Sequence, residues 1–174
     1  MRRIRIWLGA ALVLALPVAA AADTRTVEDE RSPQQAVDPV AASHGHDDLN
    51  GVLVHTVTMD RPWQEGDLRG VTLDVWLPET GKGIDRRVTV GANPDGSMYG
   101  LVSNAAGRIT GHANVWMPDD RSIRIEVSRL LFGRRTDAYR WRVTVAMECT
   151  GQGDEPCMPQ RDRVPDRGRV LHEL

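Results

Sequence analysis

The chain lacks the short motifs that mark the common classes of enzyme. The serine of residues 96–100, GSMYG, stands second instead of third, so this segment is not a G-x-S-x-G nucleophile turn. Neither an H-E-x-x-H zinc motif nor a phosphate-binding loop occurs. Acidic residues are numerous, but a glycosidase pair is defined by the separation of its carboxylates in space, which a sequence does not show. We therefore predict that the protein is not an enzyme.

An excess of basic residues is also missing. The chain has 22 Lys and Arg against 24 Asp and Glu, a net charge of −2. A protein that binds nucleic acid needs a surplus of basic residues to neutralise the phosphates. Lys82 is the only lysine, and we interpret this preference for arginine as genome composition. The composition predicts no nucleic-acid partner.

Only one long apolar run is present, and it lies at the start of the chain. Three arginines precede an apolar segment over residues 6–18, and four alanines follow at 19–22. This pattern is typical of a secretory signal peptide. A membrane anchor is the alternative, but Pro17 breaks the run, which is shorter than the roughly 20 residues that a span needs. We predict cleavage after residue 22, a mature charge of −5, and a secreted protein with no membrane association.

Cysteine is scarce. Cys149 and Cys157 are the only two, and the residues between them are polar and rich in glycine. An even pair in an exported chain predicts a disulfide bond. A metal site that uses both thiolates is the alternative, but no pair of histidines lies nearby in the sequence.

Alternation of apolar and polar residues with a period of two runs through most of the chain. It predicts strong strands at 71–77, 122–128 and 139–147, and weaker ones at 52–59, 86–90, 97–103, 108–117 and 168–172. Turn signals containing Pro and Gly separate them. Seven or eight short strands predict an all-β protein, an antiparallel β-sandwich of the jelly-roll or immunoglobulin type. The only predicted helix is a single turn near 128–132.

The domain organisation follows from the same pattern. Residues 23–43 contain few large apolar groups and several charges, which predicts a disordered spacer after the signal peptide. Residues 44–174 are predicted to form a single β-sandwich domain.

A short segment occurs twice, as VWLPET at residues 75–80 and as VWMPDD at 115–120. In each copy the tryptophan closes a predicted strand, and the proline ends the strand because it has no N–H to donate. A strand-turn-strand unit used twice would explain the similarity, and chance is the alternative.

Both tryptophans fall on the polar face of their strands. Trp76 shares its face with Asp74, and Trp116 shares its face with His112 and Asn114. A flat ring can stack on a sugar while neighbouring polar groups bind its hydroxyls, so these five residues are the predicted ligand-binding site. The alternative is that each ring packs under a loop or at the end of the sheet.

The segment before the first predicted strand contains metal-ligand residue types. Asp47, Asp48 and Asn50 resemble part of a calcium loop, but His46 stands where an EF-hand needs its first acid. No cofactor is predicted, and the segment is interpreted as a polar entry into the first strand. The alternative is a shallow calcium site that uses these residues and a distant carboxylate.

Several short motifs resemble those of a known group of proteins. They are HDDLNGVLVHTVTM at 46–59, SRLLFG at 128–133, YRW at 139–141 and PDRG at 165–168. Together they resemble uncharacterised secreted β-sandwich proteins of actinobacteria, which are similar to the family 9 carbohydrate-binding module and the DOMON-like group. The resemblance covers about residues 46 to 174.

The resemblance implies export, a sandwich fold and, by analogy, carbohydrate or cell-wall polysaccharide as partner. The chain departs from the group at 53–55, where an expected Asp is missing, and at 77–80, where a cation site would lie. Fold does not determine function. Two functions are therefore predicted: a secreted non-catalytic polysaccharide-binding protein or, alternatively, a structural or protein-interaction domain with no small-molecule ligand.

Overall fold

The computed structural model describes residues 24–30, 38–63, 68–78, 83–133, 136–147 and 160–174. The predicted signal peptide at 1–22 and the predicted disulfide between Cys149 and Cys157 lie outside these residues. The strands are β1 (Arg25–Glu28), β2 (Pro39–Asp47), β3 (Val52–Met59), β4 (Leu68–Trp76), β5 (Arg86–Ala92), β6 (Met98–Asn104), β7 (Ile109–Trp116), β8 (Ser122–Ser128), β9 (Ala138–Met147), β10 (Gln160–Val164) and β11 (Val170–Glu173).

Alternation of side chains explains where most of these strands form. In β8, for example, Ile123, Ile125 and Val127 are completely buried, and the charged residues between them face the other way. All eight strands predicted from the period of two are present, with ends that differ by three residues or fewer. The predicted single turn of helix is also confirmed, as a 3-10 turn over Arg129–Leu131.

The strands join into one antiparallel sheet. Their order is β1-β2-β3-β8-β7-β6-β5-β4-β9-β10, and β11 pairs with β9 next to β10. The sheet curls on itself, so β10 near one end contacts β2 near the other, and the apolar inner face becomes the core. The all-β antiparallel prediction is therefore confirmed. The predicted number of seven or eight strands is corrected: the described residues form eleven strands in a single curled sheet.

The segment predicted as a disordered spacer, residues 23–43, contains β1 and part of β2. β1 pairs with β2 from Arg25 opposite His44 to Glu28 opposite Ala41, and β2 pairs with β3 along its length. Backbone hydrogen bonds hold these strands, and they do not require large apolar side chains. Because β2 buries small or polar residues such as Ala42, its sequence shows little apolar alternation.

Candidate functional site

The residues predicted to bind a ligand all lie on the outer face of the curled sheet. In β4 the buried, core-facing Leu73 and Val75 alternate with Asp74 and Trp76, which face outward. The predicted polar face of each strand is thus the outer face. How far each side chain reaches solvent differs from strand to strand.

β7 exposes its outer side chains because it changes neighbours along its length. Residues 109–113 pair with β6, whereas residues 114–116 pair with β8. The outward side chains of His112, Asn114 and Trp116 are all exposed, and Trp116 exposes 38% of its surface. The structure therefore brings three of the five predicted ligand residues together in one line.

Two charged side chains on β8 extend this line to a surface that we call the Trp116 strip: His112, Asn114, Trp116, Arg124 and Glu126. Arg124 lies opposite Trp116, with its Cζ 5.4 Å from the ring centre. Nε and Nη2 of Arg124 donate hydrogen bonds to Oε1 of Glu126 at 3.2 and 3.1 Å. The strip offers an aromatic face together with hydrogen-bond donors and acceptors.

Trp76 has a similar local sequence but a different environment. It is only 5% exposed, because two arginines cover its ring. The Cζ of Arg169 lies 4.0 Å from the ring centre, and that of Arg142 lies 5.6 Å away. The buried Asp74 accepts a hydrogen bond of 2.7 Å from Nε of Arg87, and this bond raises the pKa of Arg87. Trp76 and Asp74 are thus packed against other side chains instead of facing solvent.

The two tryptophans also lie far apart. The end of β4 that holds Trp76 lies, across β5 and β6, near the start of β7. Trp116 is the last residue of β7, seven residues beyond Ile109. At about 3.3 Å per residue, that separation is about 23 Å along the strand. The structure does not bring the two rings into one binding patch.

The turn between β2 and β3 holds the residues predicted to bind calcium. Asn50 donates its Nδ2 to Oδ2 of Asp47 at 2.7 Å and its backbone N–H to Oδ1 at 3.2 Å. These hydrogen bonds lower the pKa of Asp47. The side chain of Asp48 is 73% exposed, and its Oδ2 lies 3.7 Å from Nε2 of His46. Both carboxylate oxygens of Asp47 therefore accept hydrogen bonds within the turn. Calcium binding at this turn stays a prediction.

A different group of carboxylates was not predicted. Asp29, Asp162 and Asp166, the acidic triad, have carboxylate oxygens within 4.8 Å of one another. Burial, followed by the charges of Asp166 and Asp162, raises the pKa of Asp29 to about 6. Oxygen ligands of this kind suit a hard cation. No sequence signal could reveal the triad, because Asp29 lies in the predicted spacer, far along the chain from the other two.

Four of the five histidines meet inside the sheet, where β2, β3, β9 and β11 come together. This histidine cluster consists of His44, His46, His55 and His172 beside Tyr139 and Trp141. Nε2 of the fully buried His55 lies 2.9 Å from the hydroxyl of Tyr139. Burial, followed by the neighbouring His172 and His44, lowers the pKa of His55 well below its ordinary value. His55 is therefore neutral at neutral pH.

The indole N–H of Trp141 determines the direction of the hydrogen bonds in this cluster. It can only donate, and it does so to Nδ1 of His44 at 3.0 Å. Nδ1 of His172 lies 2.6 Å from that same acceptor, so it must carry a proton and donate it. Nε2 of His172 lies 3.0 Å from Nδ1 of His46, within hydrogen-bond distance. This chain of imidazoles ties β2 to β9 and β11.

Comparisons with known proteins found no match to this chain among protein families, curated proteins or solved structures. The resemblance to secreted sandwich proteins therefore stays a prediction. Within the described ranges, no helix has both the length and the apolar character needed to cross a membrane.

Proposed function

We propose that the protein is an exported, non-catalytic protein that binds polysaccharide through the Trp116 strip. The observation that supports this proposal is the outward face of β7, where an indole that is 38% exposed stands in line with an amide and an imidazole. The indole is the surface on which a sugar ring would stack, and the polar groups on either side are donors and acceptors for its hydroxyls.

A row of paired residues extends this surface across six strands. The row consists of Arg163, Thr144, Thr72, Thr89, Leu101 and His112. Five steps of about 4.8 Å give it a length of about 24 Å. A row of this length, with hydroxyl groups along it and the Trp116 strip at one end, favours an extended polymer over a small molecule as ligand.

The expectations of export and of a sandwich belong to the same proposal. The predicted signal peptide would deliver the chain to polysaccharides outside the cell. The two halves of the curled sheet, which share one core, would be the two layers of a sandwich. The resemblance to the family 9 carbohydrate-binding module and the DOMON-like group agrees with this proposal.

A structural or protein-interaction domain without a small ligand is the second candidate. Trp76 favours it, because its ring packs between Arg169 and Arg142 instead of facing solvent. If Trp116 served only to pack against Arg124, the strip would have no ligand. The two candidates therefore differ in what the exposed ring of Trp116 does.

Retention of the mature chain, residues 23–174, on insoluble polysaccharides and purified cell walls would test the proposal. We expect the wild type to be retained and the Trp116→Ala variant to be released while it keeps its circular dichroism spectrum. The matched control is Ile109→Ala, which removes a side chain that is 56% exposed at the other end of β7. This control should bind like the wild type.

Two results would favour the second candidate instead. One is a wild type that is retained on no polysaccharide, and the other is a folded Trp116→Ala variant that is retained as well as the wild type. If Trp116→Ala does not fold, Trp116→Gln would replace it, because glutamine fills part of the space of the ring but has no aromatic face on which a sugar could stack.

A further inference from the structure

A second part of the outer face is strongly basic. In β9 the buried Trp141 and Val143 alternate with outward arginines, and in β10 the buried Asp162 and Val164 do the same. Together with an arginine on β5 and one next to β11, they form the arginine face: Arg87, Arg140, Arg142, Arg161, Arg163 and Arg169. Among the described residues of these strands and β4, only Asp74 and Glu173 bring negative charge to this face, and the exposed Asp166 lies in the turn between β10 and β11.

The charge of the arginine face is only partly balanced. Asp74 already forms an ion pair with Arg87, with 2.7 Å between Oδ1 of Asp74 and Nε of Arg87. Arg161 and Arg163 form no ion pair with any residue that the structure describes. Both side chains are exposed. The guanidinium donors of Arg161 and Arg163 are therefore left over for a ligand.

Trp76 holds part of this surface in place. The guanidinium groups of Arg169 and Arg142 lie over its ring at 4.0 and 5.6 Å, where the negative face of the indole attracts them. An arginine stacked in this way keeps N–H groups at the edge of its planar guanidinium. The buried ring thus orders two cations that face outward.

Composition alone does not explain the arginine face. The whole chain has a net charge of −2, so a random surface would carry slightly more acids than bases. The preference for arginine over lysine is a property of the composition, but the placement of six arginines on neighbouring strands is a property of the fold. A charged partner of opposite sign would explain this placement.

We infer that the arginine face binds the carboxylates of an acidic polysaccharide, whose sugar rings the Trp116 strip would hold. The inference rests on the proposed function for the class of polymer. Arginine binds carboxylates through two parallel hydrogen bonds, which lysine cannot do. The row of threonines at 72, 89 and 144 joins the arginine face to the Trp116 strip, so one chain can reach both.

Affinity electrophoresis of the mature chain in gels with polygalacturonate, or with uncharged dextran of similar length, would test the inference. We expect tighter binding to polygalacturonate. The triple variant R140Q/R161Q/R163Q should weaken that binding roughly tenfold, the sum of three exposed ion pairs. The control R25Q/R61Q/R108Q removes the same charge from exposed positions elsewhere and should bind like the wild type.

The salt dependence of binding is an independent test of the interaction between the arginine face and polygalacturonate. Raising the salt from about 0.1 to about 1 M shortens the Debye length from about 10 to about 3 Å. Binding of the wild type to polygalacturonate should fall with salt, and binding of the triple variant should change less. The melting temperatures of both triple variants would show that each is folded.

The results separate this inference from the proposed function. If dextran binds through Trp116 and polygalacturonate binds no better, the proposed function holds and the inference is wrong. If the triple variant loses polygalacturonate while Trp116→Ala keeps it, the arginine face is a binding site, but the proposed function of the Trp116 strip is wrong, and so is its part in the inference. If the wild type binds polyglutamate as tightly as polygalacturonate, negative charge alone determines binding, and the assignment to a polysaccharide is wrong. A wild type that binds neither polygalacturonate nor dextran would also overturn that assignment.

Discussion

The segments around Trp76 and Trp116 both read valine, tryptophan, an apolar residue, proline and an acid, and both tryptophans face outward from the sheet. Their exposures are nevertheless 5% and 38%. Each ring has an arginine from a neighbouring strand near it, Arg142 in one case and Arg124 in the other. Among the described residues, a second arginine, Arg169, lies at 4.0 Å from the ring of Trp76, and none does so for Trp116.

The difference arises from the strands on either side. β4 lies between β5 and β9, and the chain next to β11 supplies Arg169 over the ring. β7 pairs with β8 through only three residues, 114–116, and the described residues supply only Arg124 over Trp116. The exposure of an outward side chain is therefore decided by residues that are distant in sequence, even where the local sequence is almost the same.

The largest expected effect is the contrast between Trp76→Ala and Trp116→Ala. Removing the buried ring should lower the free energy of unfolding by about 3 kcal/mol, because it leaves a cavity under two guanidinium groups. Removing the exposed ring should cost about 1 kcal/mol or less. Urea unfolding of the mature chain would measure both values. Equal losses would show that the two rings have the same structural role, contrary to the comparison.

The second prediction concerns the strand next to Arg169. His172→Ala removes the side chain that donates to His44 and lies within hydrogen-bond distance of His46, so it should cost about 2 kcal/mol. His112→Ala, at an exposed position of β7, should cost less than about 0.5 kcal/mol and is the matched control. Because His172 anchors β11, its loss should also make Trp76 more accessible to a fluorescence quencher.

Quenching of the indole fluorescence would show whether this effect is specific for Trp76. The increase caused by His172→Ala should disappear in a Trp76→Phe background and persist in a Trp116→Phe background. An increase that depends equally on both rings would mean that β11 does not cover Trp76 selectively.

The third prediction compares the two arginines that lie over the rings. Arg169→Gln should cost about 1 kcal/mol, because the cation lies close to a desolvated ring, and Arg124→Gln about 0.5 kcal/mol at an exposed ring. Arg167→Gln changes an exposed arginine two residues away and should be nearly neutral. If Arg167→Gln cost as much as Arg169→Gln, the loss would reflect the segment and not the contact with Trp76.

Most of the sheet could be predicted from the sequence, because strands with a period of two bury one face. The strands that were missed break this pattern. β2 buries Ala42 and His44, and β10 buries Asp162 beside Val164, so neither shows apolar residues at every second position. Their stability comes from backbone pairing and from contacts with distant residues, which a local pattern cannot show.

The outward orientation of Trp76 and Trp116 could be predicted in the same way, but their exposure could not. The histidine cluster shows the same limit. His44 and His172 are 128 residues apart in the chain, and they meet only because β2 and β11 both lie close to β9. Each histidine taken alone looks like an ordinary polar residue of a strand.

An effect of similar size to that of Arg169→Gln concerns the acidic triad, which includes Asp166, three residues before Arg169. The pKa of Asp29 is raised from 3.8 to about 6, so the folded state binds this proton more tightly than the unfolded state does. The stability that protonation contributes is present below about pH 4 and is lost as the pH rises to about 6. Asp29→Asn cannot ionise, so after allowance for solvent screening it should be about 1 kcal/mol more stable than the wild type at pH 7.

At pH 4 the same variant and the wild type should unfold at the same urea concentration. Asp95→Asn is the control of opposite sign, because hydrogen bonds from Ser97 lower the pKa of Asp95, and this variant should lose stability at pH 7. Asp29→Asn removes the repulsion between Asp29 and the carboxylates of Asp162 and Asp166. If this also stabilises the segment that carries Arg169, the variant should reduce the fluorescence quenching of Trp76 at pH 7 and leave the quenching of Trp116 unchanged. A gain in stability that is equal at pH 4 and pH 7 would show that the charge of Asp29 is not its cause.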